Sequence, residues 1–299
     1  MKNIILPTDF SENAMNAARY AIALYKEEAC VFHLLNTYTP AISYSRFMAV
    51  SGRGHLEDTT HNDSQQKLDE VRLRLSTEYA NPKHHFTTVS SFNLLVDEIE
   101  KVVEAVNADL IVTGTKGASG LEAVFMGSNT VRIIKSIKNC PVLAVPQYSD
   151  FTAPTEIAFA TDFNRFFTSS ELQPLIDLAT SFNATVQIVH VQEANAKLTE
   201  MQQFNLAMLR KYLKDITHYV HQETRLNSIT KTLELFTTEL DIHLLVMLKY
   251  AHSFMEKLTR EPIIKQAAFQ TQIPLLVIPE LGMATSTKTK NTKEESTTV

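Results

Sequence analysis

Short apolar runs recur along the chain, each bounded by polar or turn residues, and stretches of helical period separate them. In the first half the runs fall near residues 3–7, 30–36, 84–89, 109–114 and 141–145, with helical patterns near 12–27, 62–79, 93–106 and 128–138. The stretch 62–79 sets Leu68, Val71, Leu73 and Leu75 among charges, which predicts an amphipathic helix. Asn93 precedes Leu94, Leu95 and Val96 and is the expected cap of the next helix. In the second half strands are expected near 156–161, 185–191, 223–227, 243–248 and 274–278. Apolar strands alternating with helices predict an α/β fold in which parallel sheets are covered by helices through right-handed crossovers.

The pattern also repeats. Asn3-Ile4-Ile5-Leu6-Pro7-Thr8-Asp9-Phe10 opens the first half, and Glu156-Ile157-Ala158-Phe159-Ala160-Thr161-Asp162-Phe163 opens the second. Both halves close on an apolar run flanked by prolines, Pro141 to Pro146 and Pro274 to Pro279. A duplication of domain length accounts for this, with domains at 1–147 and 154–280. The stretch 40–60 is long and polar, and is expected to be a mobile loop. The tail, 281–299, is rich in Thr, Lys, Ser and Glu and is expected to be disordered.

Composition narrows the function classes. The chain has 299 residues, 44% of them hydrophobic, enough for two proper cores. A net charge of -5 argues against a general nucleic-acid surface. No apolar run approaches the roughly 18 residues of a membrane span, so neither nucleic acid nor membrane is an expected partner and a cytoplasmic location is. Cys30 and Cys140 stand in apolar stretches and are expected to be buried free thiols. His84-His85 and the pair His218 and His221 lack a third ligand at metal-site spacing.

Four of the seven glycines fall at 114, 117, 120 and 127, between the fourth apolar run and the next helical pattern. Glycine serves where the backbone takes positive φ or a ligand comes close. A glycine loop between strand and helix can hold phosphate on backbone N–H groups and a helix N-terminus. Gly127-Ser128-Asn129-Thr130 reads as such a helix start, and Lys116 adds a positive charge. In parallel α/β sheets ligands sit beyond the C-terminal ends of the strands, which adds the Pro7-Thr8-Asp9 loop. The Gly-x-x-x-x-Gly-Lys-Ser/Thr and Gly-x-Gly-x-x-Gly patterns are both absent. The second half has no glycine between residues 128 and 281; Met247, Leu248 and Tyr250 stand at its fourth strand, and Glu261-Pro262 where Gly127-Ser128 stood. Proline has no N–H for a phosphate and glutamate repels one.

Gly114-Thr115-Lys116-Gly117, nine residues, then Gly127-Ser128 resembles the glycine motif of the universal stress protein family. Pro7-Thr8-Asp9-Phe10-Ser11 and Asn139-Cys140-Pro141-Val142-Leu143-Ala144-Val145 resemble its first and last strands. The resemblance covers 1–146 strongly and 154–280 more weakly, as in a tandem member. It implies two Rossmann-like (adenine nucleotide alpha hydrolase-like) domains, each a five-stranded parallel sheet, with the first binding ATP. By position, Pro7, Thr8 and Asp9 would meet the ribose or adenine side, and Leu35 and Asn36 would line the adenine pocket. Gly114, Lys116 and Gly117 would lie at the ribose and phosphates, and Gly127, Ser128, Asn129 and Thr130 would hold phosphate oxygens. Asn129 departs from the family, which commonly has an aliphatic residue there. Mg²⁺ would accompany the phosphates through Asp9 or Ser128. The family's last-strand pairing implies that the two halves pair as a pseudo-dimer, and the whole chain as a homodimer. No general base is evident beyond Asp9, so slow or no ATP hydrolysis is expected. A weak ATPase or phosphotransferase, and a non-enzymatic scaffold docking through Phe151, Phe163, Phe166, Phe167 and Phe254, are the competing readings.

Overall fold

Each apolar run feeds one strand, and alternate residues of that strand supply opposite layers. The structure, a computed structural model, describes residues 1–38, 54–115, 127–147, 149–250 and 273–280, and of 54–59 the backbone alone. The first half runs β1 (Lys2–Pro7), α1 (Glu12–Leu24), β2 (Cys30–Thr37), α2 (Gly54–Glu78), β3 (His84–Ser91), α3 (Leu95–Val106), β4 (Leu110–Gly114), α4 (Ser128–Ser136) and β5 (Val142–Val145). The second runs β6 (Glu156–Ala160), α5 (Ser169–Ser181), β7 (Thr185–Gln192), α6 (Glu200–Tyr212), β8 (His218–Thr224), α7 (Ile229–Glu239), β9 (Leu244–Lys249) and β10 (Leu275–Pro279).

The strand order is β3-β2-β1-β4-β5-β10-β9-β6-β7-β8. Within each half every pairing is parallel, and the halves meet where β5 and β10 pair antiparallel, Leu143 opposite Leu276. Two Rossmann-like domains in tandem thus share one ten-stranded sheet. Ile4, Leu6, Phe32 and Leu34 turn to one face and belong to one buried cluster with residues of α1, α2, α5 and α6. Ile5, Leu35, Ile111 and Val142 turn to the other and belong to a second cluster with Ile99, Ile133 and Phe236 of α3, α4 and α7. Burying such side chains stabilises by about 1.5–3 kcal/mol each, which makes the sheet the rigid base of the loops at its ends.

Three local expectations change. Strand β8 covers His218–Thr224, not 223–227. It is an edge strand of exposed and half-buried residues, so polar His218, His221 and Gln222 interrupt the apolar run that marks a buried strand. Helix α2 begins at Gly54, within the stretch expected to be loop, because 54–61 lacks the apolar period that marks residues 68–75. Asn93 does not cap α3: Leu94 is the N-cap residue, and Asn93 Nδ2 instead donates to Glu98 Oε2 at 2.8 Å. That bond, with burial opposing it, holds the Glu98 carboxyl below its ordinary range. The expected tail, and residues 40–53 of the expected loop, lie outside the described residues.

Candidate functional site

Pairing of β1 with β4 brings the loops after those strands side by side. After β1 the chain turns through Thr8, Asp9 and Phe10, with Phe10 at φ 64. Thr8 N donates to Leu35 O at 2.8 Å, Phe10 N to Thr8 Oγ1 at 3.0 Å, and Ser11 N to Asp9 Oδ1 at 3.1 Å. Ser11 then caps α1 by accepting from Ala14 N. The turn is therefore built by its own side chains, and it leaves Asp9 exposed beyond the strand end.

After β4 the chain meets α4 again at a narrow neck. Gly127 N donates to Thr115 O, and Thr130 Oγ1 donates to Gly114 O at 2.7 Å. The two ends of the glycine motif are thus joined, while Lys116 and Gly117 lie outside the described residues. Gly127 is the N-cap of α4 and supplies no side-chain cap. Helices α5 and α6, by contrast, carry complete capping boxes at Thr168 and Thr199. The first-turn N–H groups of α4, beside exposed Ser128 and Asn129, therefore present partial positive charge that no side chain among the described residues caps.

Several expected contacts take a supporting place. Leu35 is 0% exposed and belongs to the core, and Thr130 is buried with its hydroxyl spent on Gly114 O. Asn36 Nδ2 donates to Thr8 O at 2.7 Å, and its Oδ1 accepts from Ser64 Oγ at 2.8 Å. Ser90 Oγ in turn donates to Ser64 Oγ at 2.7 Å. This relay ties the Pro7-Thr8-Asp9 loop to α2 and β3. Ser64 was not singled out from the sequence, where a serine on the polar part of a helix gives no signal. Neither was Asn13. A Cβ at Gly114 would stand 2.1 Å from Asn13 Nδ2 and 2.9 Å from Asn13 O. Close packing of α1 on β4 therefore demands glycine at 114 whatever else the loop does.

The second half builds the same turn and closes it. Thr161 N donates to Val189 O, Phe163 N to Thr161 Oγ1, and Asn164 N to Asp162 Oδ1, with Phe163 at φ 56. His190, at the Asn36 position, contacts Thr161 O through Nδ1 at 3.0 Å. Asp162, however, is buried, because the Tyr250 hydroxyl donates to its Oδ1. Burial, then the Asp162 carboxylate, push the Tyr250 phenol well above its ordinary range. Arg165 lies 5.1 Å over the Tyr250 ring, pairs with buried Glu171, and reaches Glu280 at 3.0 Å. Met247 and Leu248 are buried in β9. Glu261-Pro262, expected opposite Gly127-Ser128, lie outside the described residues.

The remaining candidates separate cleanly. Cys30 and Cys140 are buried, and burial pushes their thiols up to about 11 and about 12, so both stay protonated and unreactive. His84 Nε2 meets Tyr25 O, and His221 Nε2 meets Gln187 Oε1. Of the phenylalanines, Phe163 and Phe167 are core and Phe151 packs edge-on to Tyr20, whereas Phe166 is exposed and stacks edge-on with Phe204; Phe254 lies outside the described residues. No described helix is long and apolar enough to cross a membrane.

Comparison with known proteins bears on the same half. A model of the universal stress protein family matches residues 1–146. The chain is 32% identical over 148 residues to universal stress protein MJ0531 of Methanocaldococcus jannaschii, covering 48% of this chain and 81% of that one. It is 26% identical over 146 residues to universal stress protein G of Escherichia coli O157:H7, covering 48% of this chain and 98% of that one. Across the whole length it resembles the crystal structure of a universal stress protein from Archaeoglobus fulgidus DSM 4304, with a TM-score of 0.69 at 17% identity, covering 93% of this chain and 98% of that one. This last likeness concerns the fold.

Proposed function

Because the chain belongs to the universal stress protein family, we propose that its N-terminal half, 1–147, binds ATP as a regulatory ligand of a cytoplasmic stress response. The C-terminal half, 154–280, binds none. One observation carries the reading: the two ends of the glycine motif meet at the Gly114–Gly127 neck, next to the exposed Asp9 turn and the α4 N-terminus, which no side chain among the described residues caps. In this reading Asp9 meets the ribose, with Pro7 and Thr8 shaping its loop. Gly114, Lys116 and Gly117 lie along ribose and phosphates, and the N–H groups of Gly127, Ser128 and Asn129 hold phosphate oxygens. Leu35, Asn36 and Thr130 act from behind, by holding backbone. Mg²⁺ is held by the phosphates with Asp9 or Ser128. The carboxylate of Asp9 serves the sugar, so the half stores occupancy rather than turning ATP over. The closed Asp162–Tyr250–Arg165 cluster supports an empty second half, and the β5–β10 pairing supports a pseudo-dimer of the two halves. The intact chain pairs again as a homodimer.

Isothermal titration calorimetry of the full chain tests this. One ATP per chain is expected, and Gly127→Asp, which sets a like charge against the phosphates, should weaken binding by about 100-fold or more. Absence of heat at millimolar ATP sinks the proposal, and normal binding by that variant overturns the placement of the phosphates. Two ATP per chain would show the second half to be open.

A further inference from the structure

The relay that holds the loop after β1 has donors that can point one way only. Asn36 Nδ2 donates to Thr8 O at 2.7 Å, which leaves Asn36 Oδ1 to accept from Ser64 Oγ at 2.8 Å. A hydroxyl has one proton, so Ser64, having given its own to Asn36, accepts from Ser90 Oγ at 2.7 Å. Ser90 has then spent its proton too, and it meets His61 Nδ1, 3.4 Å away, with lone pairs alone. The outer end of the relay therefore calls for a donor. Tyr38, just beyond β2, sets its hydroxyl 3.0 Å from the same nitrogen and its ring 6.2 Å from the imidazole.

The charge state of His61 decides whether that donor is present. The neutral ring either accepts the Tyr38 proton on Nδ1 or offers Ser90 a proton there, and cannot do both. The imidazolium always carries a proton on Nδ1, which completes Ser90–Ser64–Asn36–Thr8 and polarises each bond in turn. His61 and Ser64 lie three residues apart on one face of α2. His61 is exposed, whereas Ser64 and Asn36 are buried, so the relay runs from solvent to the carbonyl that begins the Asp9 turn. The groups that meet the ring are the Tyr38 phenol from beyond β2 and Ser90 from β3. Phenols titrate near about 10 and serine does not titrate. On α2 itself Asp63 is paired with Lys67 at 2.8 Å. The second half grips its turn differently: Gln202 Nε2 donates to Asp162 O at 2.9 Å and Asn205 Nδ2 to Phe163 O at 2.8 Å, two amides of α6 that have no charge to change.

We propose that His61 is a positioning residue of the nucleotide site, its protonation completing the relay through Ser90, Ser64 and Asn36 and so fixing the Thr8–Asp9 peptide for ATP. The inference rests on the reading of Asp9 as a nucleotide contact. The protonated form is the one with the complete relay, so ATP affinity rises as pH falls through the histidine range, between about pH 8 and pH 5. By linkage, bound ATP makes His61 hold its proton more tightly.

The test begins on the full chain without nucleotide. The Asp9 N–H shares its peptide unit with Thr8 O, so the Asp9 amide shift in an NMR titration reports the inner end of the relay. An inflection between about pH 5 and pH 8 is expected. It should vanish in His61→Gln, and also in Ser64→Ala and Ser90→Ala, which break the relay at two points and leave His61 in place. Calorimetry with ATP follows. From about pH 8 to about pH 6 the parent should gain about two- to threefold more affinity than any of the three variants, a comparison in which the titration of ATP itself cancels. Absence of the inflection in the parent overturns the proposal. So does an inflection, or an excess gain in affinity, that survives both serine variants, since the imidazolium would then act as a charge through space. An inflection that follows the relay in a chain that binds no ATP upholds the coupling of His61 to the turn and overturns the nucleotide reading instead.

Discussion

The turn after β1 and the turn after β6 have the same backbone hydrogen bonds, the same positive-φ phenylalanine and the same aspartate, yet one faces solvent and the other is sealed. The shared bonds show that Thr-Asp-Phe belongs to the fold; a site is not needed to explain it. The difference lies in what surrounds it. Between the turn and its helix cap the second half has extra chain, with Thr168 as cap six residues beyond Asp162, where Ser11 follows Asp9 by two. That added segment carries Arg165, which lies over Tyr250. The register of β4 and β9 places Leu248 where the first half has Gly114. One half has glycine because α1 presses on it; the other has leucine because its helix starts later.

The strongest way to break this comparison is to exchange the small and large residues. Gly114→Ala drives a Cβ against the Asn13 backbone oxygen and should cost about 1–3 kcal/mol. Leu248→Ala, at the matching position, removes buried atoms and should cost about 2–5 kcal/mol. Urea unfolding reads both. If Gly114→Ala is as stable as the parent, the glycine is not there for packing, and its ligand role becomes its whole explanation.

Much of this was legible from the residues and some of it was not. Apolar strands such as Ile4-Ile5-Leu6 and Leu244 to Leu248 announce themselves, because both of their faces are buried. Edge strand β8 does not, because one flank is wet and half its positions are polar. The glycine spacing was legible, and the repeat exposed its loss in the second half. Asn13 and Ser64 were invisible, since their roles arise only when α1 and α2 dock and no local pattern encodes a distant partner. The hydrogen bond of Tyr250 to Asp162 is likewise a tertiary fact, between residues 88 apart.

A finer test asks whether the closed half supports the open one. Lys249, at the end of β9, donates its ammonium to Lys135 O and to Ile137 O, the latter at 3.2 Å. Those carbonyls end α4, the helix whose other end adjoins the glycine neck. A cation there satisfies orphan acceptors and opposes the negative end of the helix dipole, typically worth about 0.3–1 kcal/mol. Burial, then Lys138, lower the Lys249 pKa. Lys249→Met should therefore loosen α4 and weaken ATP binding severalfold by calorimetry, although residue 249 lies in the other half. Unchanged affinity would mean that the halves share a sheet but act separately.

The smallest expected effect concerns a polar ladder that both halves run across three strands. In the first half His33 Nε2 meets Asn3 Oδ1 at 3.2 Å, and Thr87 Oγ1 meets His33 Nδ1 at 2.8 Å. In the second, Gln187 Nε2 donates to Glu156 Oε2 at 2.9 Å, and His221 meets Gln187 Oε1. The register of β1 with β2 and of β6 with β7 makes His33 and Gln187 counterparts. Burial lowers the His33 pKa, so the folded chain resists protonating it while the unfolded chain takes the proton near the ordinary value of about 6.5. Between the lowered pKa and that value the unfolded state binds more protons, and stability rises with pH. The His33 contribution is therefore complete above about pH 6.5 and is lost as pH falls below it. Carboxylates held low, such as Glu98, act only in the more acid range near their ordinary value of about 4.3. His33→Gln copies the second half's solution, which has no titrating group at that position. It should flatten the fall in urea midpoint between neutral and mildly acid pH. A fall of equal size in that variant would assign it to groups elsewhere and leave the two ladders equivalent.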